Sequence, residues 1–328
     1  MAQCAGHYIM MAMNGIHMVN ACKEVENRGV WCGEYELSSC FPNPSIDPFT
    51  SGCFIPTTRN SFAMSFRYNK VLILGATSGI GYALASKFVS TGTSVIVSGR
   101  RQEKLDQFVS EHGSKGNVDS AQFDITDLKA IPAFAADIFK KHPDIDCVWI
   151  NAGLQRSLDW TDPDKGVDLA KLELEILTDY TSPLHLAKAF LPLLQKRAPK
   201  DTALMYTTSG LALVPILPCG NYCAMKAALH HLILTQRQQL QDAGSNVKVI
   251  ELFPPAVQTE LHDAEHGDKG KEIGMPLNDF TEEAFAGLTS EDFEQVAVGG
   301  AKDFMGFSSW EQTRQATFAK MTKMMAKH

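Results

Sequence analysis

A tyrosine and a lysine stand four residues apart in a helical segment, at Tyr222 and Lys226. This spacing puts both side chains on one face of a helix. A free phenol has a pKa near ~10, but a neighbouring ammonium favours the phenolate and should lower that pKa. Tyr222 could then exchange a proton with a hydroxyl or carbonyl oxygen. Ser209, thirteen residues upstream, could stabilise charge developing on the same oxygen.

A Tyr-x-x-x-Lys pair alone is a weak signal, because two surface residues of any helix produce it by chance. Its weight comes from a turn that follows an apolar run and opens a helix, Gly75-Ala76-Thr77-Ser78-Gly79-Ile80-Gly81. Glycine lets the backbone turn tightly and approach a pyrophosphate, and a helix N-terminus offers free N–H groups to phosphates. Thr77 and Ser78 could add hydroxyl donors. This context favours a dinucleotide site over a purely structural turn.

The end of the second apolar run indicates which dinucleotide is preferred. A carboxylate there would accept from the adenosine ribose 2′-OH and favour NAD, but the sequence has Ser98-Gly99-Arg100-Arg101. Guanidinium groups bind phosphate in a bidentate way. We therefore expect NADPH to be preferred over NADH, with Arg100 as the stronger candidate and Arg101 open between cofactor contact and an ordinary solvated residue.

Two further strand ends carry candidate cofactor contacts. Asp124 could accept from the adenine amino group or serve as a turn residue, while Asp127 is the better candidate for a helix N-cap. Asn151-Ala152-Gly153 follows the fourth apolar run, where small residues keep the ligand-binding edge of a parallel sheet open.

Short apolar runs alternate with longer amphipathic segments from about residue 67 onward, which predicts a single doubly wound domain over 67–328 with a seven-stranded parallel sheet, a Rossmann fold. The predicted strands are 71–74, 94–97, 121–123, 147–150, 203–206, 247–250 and 295–298. The predicted helices are 79–92, 101–112, 127–141, 168–195 and 222–243.

Residues 1–66 lack this periodicity, and we expect a disordered extension or a translated stretch ahead of a start at Met64. The 328 residues carry a net charge of -7, which argues against nucleic acid as a partner, and no apolar run is long enough to span a membrane. The spacing of the eight cysteines fits neither a zinc site nor a secreted disulfide scaffold. A reducing, cytoplasmic setting is the simpler interpretation.

The chain from about 68 to 300 resembles the short-chain dehydrogenase/reductase superfamily, in its compact single-domain branch and most closely the DltE-like oxidoreductases. The matching elements are Gly75-x-x-x-Gly79-Ile80-Gly81, Asn151-Ala152-Gly153, Ser209 and Tyr222-x-x-x-Lys226. The resemblance implies that Tyr222 is the acid/base, that Ser209 orients the substrate, and that Lys226 binds ribose and lowers the tyrosine pKa. It also implies a nicotinamide loop in which Pro254, Val257 and Thr259 meet the cofactor.

Three positions depart from the family pattern. Leu74 stands where the family has Thr, and Pro255 stands where it usually has Gly. The fourth catalytic position, normally Asn, is Asp179. In the family the backbone carbonyl of this residue holds a water beside the lysine, a role that Asp could keep. A carboxylate facing Lys226 would instead favour the ammonium and oppose its effect on Tyr222.

The sequence thus predicts an NADP(H)-dependent enzyme that interconverts a carbonyl and an alcohol on a small, apolar substrate. The alternative is an NADP(H)-binding sensor with weak or no catalysis, which Asp179 motivates. We expect a homodimer or homotetramer, because the helices at 168–195 and 222–243 are apolar on more than one face. The pair His262 and His266 is interpreted as part of a substrate lid rather than a metal site. Packed, inert thiols are preferred over a redox switch for Cys219 and Cys223.

Overall fold

The computed structural model describes residues 65–114, 117–162 and 164–325. The predicted extension at 1–66 falls almost entirely outside these residues. Within them, short strands alternate with helices as the apolar runs predict. The strands are β1 Lys70–Leu74, β2 Ser94–Gly99, β3 Val118–Gln122, β4 Cys147–Ile150, β5 Thr202–Thr207, β6 Val247–Phe253 and β7 Gln295–Ala297. The helices are α1 Gly79–Ser90, α2 Gln102–His112, α3 Ile131–Lys141, α4 Leu169–Ile176, α5 Ser182–Gln195, α6 Gly220–Asp242, α7 Asp263–His266, α8 Leu277–Leu288, α9 Gly300–Asp303 and α10 Gln312–Met325.

The seven strands form one parallel sheet in the order β3-β2-β1-β4-β5-β6-β7, which confirms the predicted doubly wound Rossmann fold. Its first strand pairs on both sides, with Leu72 opposite Ile96 of β2 and Val148 of β4. The chain order reverses at β1, so the crevice beside this strand's carboxyl end is the expected ligand position.

Alternation along the strands divides the core into two layers. Val71 and Ile73 face one layer, in which α1, α2 and α8 pack on the sheet. Leu72 and Leu74 face the other layer, which is covered by α3, α5 and α6. Successive side chains of a strand point to opposite faces, so a sheet that is covered on both faces needs continuous apolar runs.

The structure corrects three predicted boundaries. The third strand begins at Val118 rather than 121, because the polar residues of this edge strand hid its start. The third helix begins at Ile131 rather than 127: Pro132 suits a first helical turn, and Asp127 instead accepts from Ala130 N at 3.1 Å in the preceding turn.

The long helix predicted over 168–195 is two helices separated by a π-helical turn, Leu177–Thr181. Pro183 lies in the first turn of α5 and lacks an N–H, so it cannot donate to the carbonyl of Asp179 one turn earlier. Single π turns are frequent at functional sites. This π turn holds Asp179, which stands where the family normally has Asn.

Candidate active site

A cavity of about 610 Å³ opens at the carboxyl edge of the sheet, where the segments after β1 to β6 meet. It brings together most of the residues that the sequence selects. They are Gly75, Thr77, Ser78, Gly79, Ile80, Arg100, Arg101, Asp124, Asn151, Ala152, Gly153, Ser209, Tyr222, Lys226, Pro254, Val257 and Thr259. Gly81 and Asp179 do not line the cavity and support it from behind.

The glycine-rich turn is held in a form that a side chain would prevent. Gly75 has φ +98°, and a Cβ there would lie 2.5 Å from the backbone nitrogen of Ala152. A Cβ on Gly81 would lie 2.2 Å from the carbonyl oxygen of Gly75, so the close packing of this turn requires glycine there. The first N–H groups of α1 follow this turn, and the N-cap Ser78 makes no side-chain cap bond with them. Donors of this kind suit a diphosphate, so the cradle fits a dinucleotide.

Asn151 ties this turn to the neighbouring strands. Its Nδ2 donates to the carbonyl oxygen of Gly75 at 2.8 Å, and its Oδ1 accepts from the Thr207 hydroxyl at 2.9 Å. The buried indole of Trp149 donates to the same hydroxyl at 2.8 Å. Asn151 therefore shapes the cofactor cradle through its side chain, a role that goes beyond the small-residue edge expected from the sequence.

The ammonium of Lys226 is fixed at the bottom of the cavity. Its Nζ donates to the carbonyl oxygen of Thr207 at 3.2 Å and lies 3.2 Å from Asp179 Oδ1. The same ammonium lies 5.4 Å from the ring centre of Tyr222, which places it on the expected helical face. The sequence left two roles open for Asp179, one for its backbone carbonyl and one for its carboxylate. The structure has the carboxylate facing Lys226.

Gly153 makes room for this ion pair, since a Cβ there would lie 2.6 Å from Asp179 Oδ1 and 3.3 Å from Lys226 Nζ. The Asp179 carboxylate also accepts from Leu154 N at 3.3 Å. Burial raises the pKa of Asp179, while Lys226 and the Leu154 hydrogen bond oppose that rise.

The sequence predicts that neighbouring groups lower the pKa of Tyr222. For the groups that the protein itself supplies, this prediction is wrong. Burial raises the pKa of this phenol, and the Asp179 carboxylate raises it further; the hydrogen bond with Ser209 acts in the opposite direction. The physical reason is that Tyr222 is 6% exposed and that the charge of Lys226 is offset by a carboxylate at 3.2 Å. Ser209 also accepts from Leu211 N at 3.1 Å, which orients its hydroxyl oxygen.

The two arginines after β2 have different surroundings. Arg101 donates to Thr77 Oγ1 and lies 2.9 Å from Glu260 Oε2, so it joins the glycine-rich turn to the segment after β6. The pKa of Glu260 is lowered, because hydrogen bonds from Arg101 and Ser78 outweigh the effect of burial. Arg100 is exposed at the cavity rim, where its backbone carbonyl accepts from Gln122 at 2.8 Å. Arg100 is therefore the arginine left for a ligand.

Asp124 lines the cavity after β3 and organises its own turn. Its Oδ1 accepts from the N–H of Thr126 at 3.0 Å and from the hydroxyl of the same residue at 2.7 Å. Asp124 therefore acts as a turn residue through Oδ1. Its second carboxylate oxygen is available to a ligand.

Two cavity residues, Gln155 and Glu260, were not found by sequence reasoning. Gln155 Oε1 meets His262 Nδ1 at 3.1 Å, and its Nε2 donates to Cys219 Sγ at 3.2 Å. Glu260 pairs with Arg101. The contacts of Gln155 with His262 and of Arg101 with Glu260 join residues more than a hundred positions apart, and nothing in the local sequence marks them. His262 and His266 line the cavity from the segment that follows β6, and the described residues hold no cluster able to bind a metal ion.

A sequence model of the short chain dehydrogenase family matches residues 69–270. The chain belongs to this family. It is similar to the "Uncharacterized oxidoreductase DltE" of Bacillus subtilis, with 31% identity over 73% of this chain and 87% of the relative. It also resembles serine 3-dehydrogenase of Rhizobium radiobacter, at 34% identity over 58% and 73% of the two chains. NADP-dependent 3-hydroxy acid dehydrogenase YdfG of Salmonella typhi is 30% identical over 69% and 86%.

Solved structures agree with this family assignment. The closed form of serine dehydrogenase complexed with NADP+ superposes with a TM-score of 0.61 at 26% identity, over 70% of this chain and 94% of that one. A short-chain dehydrogenase from Burkholderia phymatum in complex with NAD gives 0.63 at 19% identity, over 72% and 91%, and shows the common fold. The chain is therefore a dehydrogenase/reductase of the short-chain family with an NAD(P)-binding Rossmann fold.

Proposed function

We propose that the protein is an NADP(H)-dependent oxidoreductase that interconverts a carbonyl and an alcohol, with Tyr222 as general acid/base. The observation that carries the proposal is that Tyr222, Ser209 and Lys226 line the same cavity as the glycine-rich turn. A proton-transferring phenol thus shares one enclosed space with a diphosphate cradle, and both are needed for hydride chemistry at a carbon that bears oxygen.

The nicotinamide, when bound, supplies or accepts the hydride. In the reductive direction Tyr222 gives its proton to the carbonyl oxygen, and in the oxidative direction its phenolate takes the alcohol proton. Ser209 donates to the same oxygen and stabilises the negative charge that develops there. Lys226 favours the phenolate and offers its ammonium to the ribose hydroxyls.

Preference for NADPH over NADH is proposed on the arginines after β2. No carboxylate ends that strand, and Arg100 stands exposed at the cavity rim. A 2′-phosphate there would meet a guanidinium instead of a repelling charge. NADP in the names of two relatives and a structural neighbour supports the same preference.

The proposed substrate is a small carbonyl or alcohol. Leu211, Ile216 and Met305 form an apolar wall, which supports the apolar substrate expected from the sequence. The lid adds His262 and Glu265 to the cavity, and the relatives are named for serine and 3-hydroxy acids. A substrate panel should therefore contain short apolar aldehydes and ketones beside serine and 3-hydroxy acids.

The decisive experiment compares wild type with Tyr222→Phe on that panel. Loss of the phenolic hydroxyl should lower kcat by roughly 10²–10⁴-fold, because proton transfer to the reacting oxygen is lost while the ring is retained. Tyr82→Phe, on α1 and outside the cavity, is the matched control and should keep the wild-type rate. Full turnover by Tyr222→Phe would reject the assigned role.

The ion pair between Lys226 and Asp179 favours a second candidate, an NADP(H)-binding sensor with little turnover. A carboxylate 3.2 Å from the ammonium offsets the charge that should activate Tyr222. If the protein is such a sensor, cofactor fluorescence should change on binding while no substrate of any panel is turned over. The variant Asp179→Asn should then gain activity.

Assembly into a homodimer or homotetramer and a cytoplasmic location are also proposed. The first is supported by apolar side chains exposed on α4, Leu169, Leu174 and Ile176. The second is supported by the thiols of Cys147, Cys219 and Cys223, which are all free. No helix of the described residues is long and apolar enough to cross a bilayer.

A further inference from the structure

Two thiols lie on either side of the proposed catalytic tyrosine. Cys219 is the N-cap residue of α6 and Cys223 lies in the second turn of the helix, with their Sγ atoms 3.9 Å apart. Both side chains form a small buried cluster with Tyr222, against which Leu211 packs. The thiols are therefore direct neighbours of each other and of the Tyr222 ring.

One of the two thiols faces the cavity. Cys219 lines it beside Ile216 and Pro218, whereas Cys223 lies behind it at 2% exposed. A small, uncharged oxidant of the peroxide class can therefore reach Cys219 through the substrate opening. Cys223 is positioned behind it to complete a bond.

The contact also affects the acidity of the thiols. The hydrogen bond from Cys219 lowers the pKa of Cys223 to about 7, and the reciprocal effect raises the pKa of Cys219. A thiolate attacks a sulfenic acid, so the lowered pKa suits Cys223 to the bond-forming step.

We propose that Cys219 and Cys223 form a reversible thiol–disulfide site that controls the position of Tyr222. A peroxide oxidises the cavity-facing Cys219 to its sulfenic acid, and one oxygen of the peroxide leaves as water. The Cys223 thiolate then attacks the Cys219 sulfur, an S–S bond forms, and the sulfenic oxygen leaves as a second water. Each sulfur loses one electron, and the two peroxide oxygens gain the pair. A dithiol reductant reverses the process.

Closing this bond disturbs two contacts of the active site. A disulfide is roughly 2 Å long, so the sulfurs must approach by about 2 Å from their separation of 3.9 Å. That movement takes Cys219 Sγ away from Gln155, whose other end holds His262 of the lid at 3.1 Å. It also tightens the first turns of α6 around Tyr222. We therefore expect the disulfide form to turn over more slowly.

The test treats the purified full chain with hydrogen peroxide, blocks remaining thiols by alkylation, and maps the tryptic peptide 201–226, which contains both cysteines. The expected result is a peptide that escapes alkylation and has lost two hydrogen atoms, together with turnover that falls at least several-fold and returns with dithiothreitol. Cys223→Ser should form no such peptide. Any activity that this variant loses to hydrogen peroxide, measured against its own untreated sample, should not return with dithiothreitol as that of wild type does. Cys147→Ser, with a buried thiol in β4, should behave as wild type.

The mass measurement stands independently of the proposed function, whereas the turnover measurement rests on it. Two alkylated thiols at positions 219 and 223 after treatment would overturn the proposal, as would oxidation beyond the sulfenic acid without a cross-link. If the disulfide forms and turnover is unchanged, the inference that this bond controls the position of Tyr222 is overturned. A wild type without turnover before oxidation would instead count against the proposed function alone.

Discussion

Arg100 and Arg101 are neighbours in sequence that differ in what they contact. Arg101 is bound to Thr77 and Glu260, while Arg100 is exposed at the cavity rim. Charge-assisted hydrogen bonds to phosphate contribute about 1.5–3 kcal/mol. Arg100→Ala should therefore raise the KM for NADPH by roughly 10- to 100-fold and leave the KM for NADH nearly unchanged.

Arg101→Ala is the matched comparison. It removes the link between the glycine-rich turn and the segment after β6. It should therefore raise the KM for NADPH and the KM for NADH to a similar extent. Steady-state kinetics with both cofactors separates the two outcomes. Equal losses for both cofactors in Arg100→Ala would contradict the assignment of the 2′-phosphate to that residue.

Asp179 acts on the pKa of Tyr222 through its charge. Its carboxylate raises the pKa of Tyr222, adding to the effect of burial. Asp179→Asn removes the charge, so the pKa of Tyr222 should fall. Alcohol oxidation needs the phenolate, which is present above that pKa, and the acid limb of kcat/KM should therefore move to lower pH.

A pH profile of Asp179→Asn measures this shift directly. Glu173→Gln, on the exposed face of α4, is the control and should keep the wild-type profile. An unchanged acid limb in Asp179→Asn would show that the carboxylate does not act on Tyr222. A gain from no activity to measurable activity would favour the sensor interpretation of the natural chain.

A buried histidine joins three elements behind the active site. His230 of α6 contacts Glu251 Oε1 of β6 at 2.8 Å and Glu311 Oε2, just before α10, at 2.9 Å. Burial alone lowers the pKa of His230, but the two carboxylates outweigh it and raise the pKa to about 9. The Thr208 hydroxyl also donates to Glu251, which connects this bridge to the strand end that carries Ser209.

Because the folded-state pKa of His230 lies above its ordinary value near ~6.5, its stabilisation is complete below that value and is lost as pH rises through about 9. His230→Gln removes the cation between Glu251 and Glu311, of which Glu311 keeps its ion pair with Arg314, and should lower the free energy of unfolding by about 3 kcal/mol at pH 6.5. Urea denaturation at several pH values measures both effects. His185→Gln, on the exposed face of α5, should change neither; a wild-type stability that is flat from pH 6.5 to 9.5 would contradict the bridge.

At the scale of the whole molecule, α4 is among the described helices that leave apolar side chains exposed. Leu169 is 66% exposed, Leu174 41% and Ile176 36%, all on α4. Burial of such side chains contributes about 25 cal/mol per Å² of apolar surface, which favours pairing of this helix with a second copy. We expect Leu174→Glu to convert the proposed oligomer to a monomer in light scattering. Lys171→Glu is the control, and a monomeric wild type would reject the expectation.

The sequence by itself determined the fold and most of the candidate site. Continuous apolar runs require a sheet covered on both faces, and the glycine-rich turn and the Tyr222–Lys226 spacing are local features that the chain carries in order. Candidate cofactor residues that follow strand ends were therefore predicted from the sequence, and they line one cavity. Gly81 packs on the carbonyl oxygen of Gly75 and does not line the cavity, because a glycine pattern does not reveal which glycine faces an opening.

Tertiary structure alone decided the contacts between distant segments. Whether Asp179 offered its carbonyl or its carboxylate to Lys226 depended on a π turn and on the missing side chain of Gly153. The binding of Arg101 to Glu260 and of His230 to Glu311 likewise joins residues far apart in the chain. Local periodicity reports which face of an element is buried, but charges and thiols act over a few ångströms, and only the packed chain sets which of them are that close.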